Sequence, residues 1–268
     1  MAASAMAQTN ISTIDNILQY LFDKQKRDHV SPIYIHTKQT EISERLRTKA
    51  FDWINGLHRL SGWDEETLFL IYALIDKYLS RQMIPAKNFP TLIAVIIVIA
   101  TKYSEDISVN IDELLKTIGA TGITKQMILW SEINVLFDLK FDIGLTTPIH
   151  FIDWFNENAQ NDNYVCIYSK YILEVTYLNY KSLKYLASEF AAGALYLSRY
   201  INNVNPSWVP VFSFYTKCEE DVARSCAKEM LIILHRNRKY VPHIIEKYSS
   251  VKYSQVALKK IPEKFPQN

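Results

Sequence analysis

The sequence is poor in the residues that interrupt regular structure, with six glycines and nine prolines among 268 residues. Sheet-rich folds need many tight turns, which depend on these residues, so their scarcity favours long helices. Hydrophobic residues make up 49% of the chain, which is enough for a sizeable core and excludes disorder over most of its length. A chain of this length forms one large domain or two of ordinary size.

Paired cysteines, charge of one sign and long apolar runs are also lacking. Cys166, Cys218 and Cys226 form no CxxC pair, which is typical of a reduced protein of the nucleus and cytoplasm. The 30 basic and 28 acidic residues give no excess that would support nucleic-acid binding, so we expect a protein partner. The longest apolar run, residues 92–100, is too short to span a membrane, and "MAASAMAQTN" lacks the features of a signal peptide.

The sequence motifs of common catalytic sites are missing as well. There is no GxGxxG or GxxxxGK[ST] loop for phosphate, no HExxH pair for a metal and no GxSxG nucleophile turn. The six histidines form no close group with cysteines. We therefore predict a protein that is not an enzyme and that holds no metal and no cofactor.

Helical periodicity runs through the whole chain. In "STIDNILQYLFDKQKRD" the residues Ile14, Ile17, Leu18 and Leu21 share one helical face. Ser43 is a suitable N-cap for a helix over residues 44–58. Residues 88–105 are apolar all round, which predicts a helix buried on every side, although their β-branched content would also suit a central strand.

The two halves of the chain repeat this pattern. At an offset of 97 residues, Ile93 and Ala94 align with Phe190 and Ala191, and the order of helical segments around them matches. The sequence therefore predicts an all-α fold made of two similar five-helix units, with an N-terminal helix before them.

Several motifs, in order along the chain, resemble those of the cyclins. "LRTKAFDW" resembles the signature of the first cyclin helix, "LIDKYL" that of the second, "IATKYSED" that of the third and "WSEINVLFDLKFDI" that of the fifth. In the second half "TPIHFI", "ASEFAAGAL" and "FYT" are similar to the A/B-type pattern. The resemblance covers roughly residues 14–247. It implies two consecutive cyclin boxes at 43–145 and 146–250, a leader and helix at 1–42 and a tail at 251–268.

The resemblance also implies roles for single residues. Arg47 would form a buried ion pair with Asp76, and Asp52 would bond to backbone or polar neighbours inside the fold. Lys102 and Glu132 would hydrogen-bond the backbone of a kinase, and the alternative is an ordinary salt bridge between their helices. The residues expected to make apolar kinase contacts around them are Ile99, Tyr103, Val135, Phe141 and Ile17.

A second family surface binds substrate peptides of the Arg-x-Leu type, and Leu46, Ala50 and Trp53 match its apolar positions. Gly56 stands where A-type members carry a glutamate, and Pro90 stands where they carry a glutamine. The apolar half of the patch is thus retained in reduced form and its polar half is missing. The alternative is that Trp53 only packs inside the fold.

The function that the resemblance implies is that of a regulatory subunit, which binds and activates a cyclin-dependent Ser/Thr kinase in cell-cycle control. Two alternatives stay open at this point. One is a transcription-related core that uses two cyclin folds to hold DNA and polymerase, and the other is an adaptor that activates no kinase.

Overall fold

The computed structural model describes residues 16–119 and 122–265, which are mainly helical and contain no strand. Helix α1 covers residues 16–28, so the predicted N-terminal helix is present, whereas Ile14 lies outside the described residues. The following link, predicted to be extended, contains the single-turn helix α2 (Tyr34–Thr37).

The first unit contains five helices, as the repeat predicts. Ser43 Oγ accepts a hydrogen bond from the Leu46 amide at 3.2 Å, so the predicted N-cap starts the first of them. That helix ends at Gly62, whose φ of +70° is a backbone conformation that favours glycine. The five are α3 (Glu44–Ser61), α4 (Glu65–Arg81), α5 (Phe89–Ser104), α6 (Ile111–Ile118) and α7 (Lys125–Asp138).

Helix α5 lies at the centre of the first unit, between α4 and α7. Residues 92–101 are all buried, which agrees with a helix that is apolar on every side and excludes the strand alternative. With the 3₁₀ turn before it, the helical span Ala86–Ser104 is long and apolar enough by length and composition to cross a membrane. Because 61% of that span is buried inside the fold, it is read as a core helix.

The second unit repeats this arrangement around α10. Shifting α5 by the 97-residue offset places it on residues 186–201, and α10 is Ala187–Ile201. It packs against α8, α9 and α12, and Gly193 allows a close approach to Cys226 of α12. The five helices are α8 (Ile149–Asn158), α9 (Asn163–Tyr177), α10, α11 (Pro210–Thr216) and α12 (Glu220–Asn237).

A further helix, α13 (Pro242–Ser249), follows the second unit in the chain and packs onto α3 of the first unit. The sequence analysis did not predict this helix. Asp52 of α3 accepts a hydrogen bond from the Ile244 amide at 3.4 Å, which is the structural role predicted for this aspartate. Burial raises the pKa of Asp52, and the neighbouring His243 opposes that rise.

A buried ion pair joins α13 to α9. Lys247 Nζ lies 2.5 Å from Glu174 Oε1, and each side chain is 1% exposed. Burial raises the pKa of Glu174, while the ammonium group of Lys247 opposes the rise. Helix α13 therefore contacts α3 in the first unit and α9 in the second.

Candidate protein-binding surface

Lys102 and Glu132 meet at the surface of the first unit. Lys102 lies in the last turn of α5, and its Nζ is 2.6 Å and 2.9 Å from the two carboxylate oxygens of Glu132 on α7. The side chain of Lys102 remains 45% exposed and that of Glu132 is 14% exposed. In the chain alone the pair thus forms the interhelical salt bridge of the alternative reading. An ion pair at the surface, with its ammonium group open to water, contributes about 0–1 kcal/mol, so a partner can replace it at little cost.

Aromatic side chains surround this pair. Tyr103, next to Lys102, is 57% exposed and lies against Gly144, where an added Cβ would come within 3.1 Å of the tyrosine ring. Phe141 is 58% exposed, and its ring centroid lies 5.3 Å from that of Phe137. Phe141 has a φ of +54°, which is uncommon for a bulky residue and costs on the order of 1–3 kcal/mol. The turn after α7 thus holds an aromatic ring at the surface in a strained conformation.

The outward face of α7 carries apolar residues that the sequence analysis missed. Only Ile128 and Val135 of this helix are fully buried. Trp130, Ile133 and Phe137, here called the α7 crest, are 72%, 58% and 65% exposed. Their spacing of three and four residues places them on one face, away from the buried pair. That spacing was a usable signal, but apolar residues at helical spacing are by default assigned to the core.

Two residues predicted to lie on this surface belong to the core instead. Ile99 is 2% exposed because α5 is enclosed by its neighbours, and Val135 is 4% exposed because it lies on the stripe of α7 that faces α5. Neither side chain offers accessible area in the chain alone, so their contact with a partner stays a prediction that this conformation does not favour. They support the helices on which Lys102 and Glu132 stand.

Helix α1 extends the same surface. Ile17 and Tyr20 are 54% and 55% exposed, and Tyr20 lines a groove together with Tyr103 and Phe141. The structure thus leaves the predicted contact residue Ile17 accessible. Two anchors fix the helix: Gln25 exchanges hydrogen bonds of 2.8 Å and 2.9 Å with Ser188, and Asp28 accepts one of 2.7 Å from the Thr146 amide.

The predicted buried ion pair is present. Arg47 Nε and Nη2 donate to the two carboxylate oxygens of Asp76 at 2.7 Å and 2.6 Å, and the side chains are 0% and 1% exposed. Arg47 Nη1 donates to the Leu178 carbonyl at 2.8 Å, and the Tyr34 hydroxyl donates to Asp76 at 2.6 Å. Arg47 therefore stands inside the fold, where it links α3 and α4 to the second unit.

The residues predicted for the peptide patch lie along one face of α3. Leu46, Ala50 and Trp53 are each partly exposed and pack against the core. At Gly56 an added Cβ would come within 2.8 Å of the His243 ring, so the last helix fills the space that a larger side chain would need. Peptide binding at this face stays a prediction, and the occupied space at Gly56 leaves no room there for the glutamate of A-type members.

Comparison with known proteins places both units in one family. A family model described as the cyclin N-terminal domain matches residues 16–144, and one described as the cyclin C-terminal domain matches residues 146–262. The G2/mitotic-specific cyclin-B of Dictyostelium discoideum is 28% identical over 246 residues, which are 91% of this chain and 56% of the relative. Cyclin-B2-2 of Oryza sativa subsp. indica is 30% identical over 249 residues, 92% of this chain and 59% of the relative.

The chain thus spans less than two thirds of the length of these curated relatives. Solved structures share the fold at low identity. The X-ray structure of a viral cyclin from herpesvirus saimiri matches with a TM-score of 0.70 at 14% identity, covering 87% of this chain and 99% of that one. A chain of the yeast RNA polymerase II CTD kinase CTDK-1 complex matches with a TM-score of 0.59 at 12% identity, covering 82% and 79%. Because the two cyclin family models together match residues 16–144 and 146–262, the chain belongs to the cyclin family.

Proposed function

We propose that this chain is a regulatory subunit that binds and activates a cyclin-dependent Ser/Thr kinase in cell-cycle control and performs no chemistry itself. The observation that carries the proposal is the Lys102–Glu132 pair beside the exposed α7 crest. The similarity of the chain to B-type cyclins, one of which is named G2/mitotic-specific, supports the cell-cycle assignment. The occurrence of a chain of this fold in a yeast kinase complex supports a kinase as the partner.

The apolar residues supply most of the binding energy in this proposal. Exposed apolar patches rimmed by polar residues mark interaction sites, and buried aromatic anchors dominate the affinity of most interfaces. Trp130, Phe137 and Phe141 are such anchors, because each is more than half exposed in the chain alone. A kinase that covers them removes this area from water, which favours association.

The charged pair fixes the orientation of the partner. When the interface excludes water, the Lys102 ammonium and the Glu132 carboxylate can exchange their mutual contact for hydrogen bonds to backbone groups of the kinase. Hydrogen bonds that involve a charged group are stronger than neutral ones, especially once water is excluded. The intramolecular salt bridge and the proposed contact are therefore two states of one pair, and the free chain shows the first.

Activation follows from differential contact with two kinase states. A subunit that binds the active arrangement of the kinase regulatory helix more tightly than the inactive one shifts the population toward the active state.

The three cysteines are free, and we also propose a location in the nucleus and cytoplasm, where thiols stay reduced.

The experiment is a pull-down with a panel of tagged cyclin-dependent kinases, followed by histone phosphorylation. Its decisive variant is the charge exchange Lys102→Glu/Glu132→Lys, which keeps an ion pair between α5 and α7 but reverses its polarity. The matched control exchanges the exposed pair Lys125–Asp112, whose Nζ–Oδ2 distance is 2.7 Å and whose side chains are 52% and 58% exposed.

We expect the parent and the control to bind and activate one of the kinases. The Lys102/Glu132 exchange should keep the thermal stability of the parent and lose activation. A carboxylate then faces the kinase backbone group that accepted from the ammonium, and an ammonium faces the group that donated to the carboxylate. Normal activation by this variant would show that the pair is only intramolecular and would refute the assignment of the site.

A further inference from the structure

A groove with apolar walls and a basic rim lies on elements that the proposed kinase surface does not use. One wall is a face of α12, another is formed by Pro32 and Ile33 between α1 and α2, and the end is closed by the 3₁₀ segment Tyr180–Lys184. We call it the α12 groove. The α12 residues that line it follow a helical spacing of three, one and three, and they are Glu229, Ile232, Ile233 and Arg236.

The walls of the groove expose apolar area on both sides. Ile33 is 60% exposed and Ile232 is 50% exposed, whereas Ile233 is buried at 9%. Single exposed isoleucines are ordinary at protein surfaces. Two of them that line one concavity from separate elements form a site into which apolar side chains of a ligand can be buried.

The rim of the groove is positively charged. Lys181, Lys184 and Arg236 line it together with one carboxylate, that of Glu229. Lys184 Nζ lies 2.5 Å from Glu229 Oε1, so this carboxylate is already engaged. No carboxylate of residues 16–119 or 122–265 forms a salt bridge with Lys181 or Arg236. The charge that would complement this rim is negative.

The groove is formed before any ligand binds. The Ile33 carbonyl accepts hydrogen bonds from the amides of His36 and Thr37 at 3.0 Å and 3.1 Å, which fixes the first wall. Ser182 Oγ donates to the Asn179 carbonyl at 2.6 Å, which fixes the 3₁₀ segment. Rigid walls reduce the ordering cost of association, so a short ligand suffices.

We propose that the α12 groove binds a segment of a partner protein in which apolar residues stand beside aspartate or glutamate. The apolar walls select this chemistry over a nucleic acid, whose backbone would bring charge and no aliphatic side chains. No residue of the groove belongs to α5, α7 or the aromatic turn after α7. A segment bound there leaves the kinase surface free, so the groove can hold a substrate or regulator while the chain is bound to a kinase.

The test does not depend on the proposed kinase function. A display library of random peptides is selected on the intact chain, and the Kd of each enriched peptide is then measured by fluorescence anisotropy on variants. The groove variants are Ile232→Glu and Arg236→Glu. The controls are Ile107→Glu, at a site that is 86% exposed, and Lys116→Glu, which removes a basic residue from the last turn of α6 as Arg236→Glu does from α12.

We expect enriched peptides that combine apolar and acidic residues, with an affinity that falls as salt is added. Each groove variant should weaken them at least about tenfold, whereas the controls leave the Kd unchanged. Circular dichroism melting confirms that all four variants are folded. The proposal is overturned if no peptide is enriched, if the enriched peptides are basic, or if they bind the groove variants as well as the parent. It is also overturned if the chain self-associates through Ile232, because a second copy would then be the occupant.

Discussion

Removing one partner of the buried pair Arg47–Asp76 should destabilise the protein more than most single substitutions. In Arg47→Met the Asp76 carboxylate stays 1% exposed and loses two hydrogen bonds of 2.6 Å and 2.7 Å from a cation. Leaving one charge of a buried pair alone costs about 3–5 kcal/mol. The Leu178 carbonyl does not add to this cost, because Thr48 Oγ1 still donates to it at 3.1 Å.

That loss is a large share of a total stability of roughly 5–15 kcal/mol. For a chain of this size it lowers the melting temperature by roughly 6–20 °C. The second variant, Arg47→Met/Asp76→Asn, removes both charges and keeps an amide oxygen that accepts from the Tyr34 hydroxyl. We expect it to recover most of the loss and to lie within about 2 kcal/mol of the parent.

Urea unfolding, followed by the fluorescence of the five tryptophans, measures both free energies of unfolding. The single variant Asp76→Asn completes a double-mutant cycle that isolates the coupling between the two side chains. If Arg47→Met costs less than about 1 kcal/mol, or if the double variant is as unstable as the sum of the single ones, the reasoning about an isolated buried charge is wrong.

Two more predictions concern buried contacts. Burial, together with Lys247, lowers the pKa of His58 to about 4 despite the opposing charge of Glu65. In the unfolded chain the imidazole keeps its ordinary pKa of about 6.5. As the pH falls below about 6.5, the unfolded chain therefore binds a proton that the folded chain does not, which lowers the stability of the fold. Between pH 7 and 5 the parent should lose about 2 kcal/mol more stability than His58→Gln in urea titrations, and equal pH dependence of the two would contradict this. In Gly193→Ala the new Cβ would lie 2.5 Å from Cys226 Sγ and 2.8 Å from its Cβ, which should cost about 1–3 kcal/mol in calorimetry. Adding Cys226→Gly removes both atoms and should reduce the cost of the alanine, and an unchanged cost would show that the strain lies elsewhere.

The helices could be predicted from the sequence because their signals are local. The Ser43 cap and the glycine at position 62 each act within one or two turns of the chain, whereas the apolar run of α5 also suited a strand until its place between α4 and α7 was known. The pairing of Arg47 with Asp76 was also anticipated, but only through the resemblance to cyclins. Helix α13 (Pro242–Ser249) was missed because it lies outside the repeated five-helix pattern and its place is set by contact with α3 in the other unit.

The candidate surface was predicted only in part. Lys102, Glu132, Tyr103 and Phe141 come together at the surface, whereas Ile99 and Val135 are buried. The α7 crest was likewise not predicted, and one reason explains both outcomes. Whether an apolar residue on a helix faces the core or the solvent depends on which neighbouring helices cover it, and periodicity fixes only which residues share a face.

The sequence by itself determined the all-α class, the repeat of two five-helix units and the members of each helical face, because these follow from local periodicity and spacing. Only the tertiary structure decided what each face does. Lys102 and Arg199 occupy equivalent places at the ends of the central helices α5 and α10. Lys102, whose side chain is 45% exposed, reaches the carboxylate of Glu132 at the surface, whereas Arg199, at 7% exposure, donates to the carbonyls of Ala159 and Pro206 at 3.3 Å and 3.2 Å. The contacts of the two side chains differ because different segments cover the ends of α5 and α10. Contacts between segments distant in sequence leave no local pattern in the sequence.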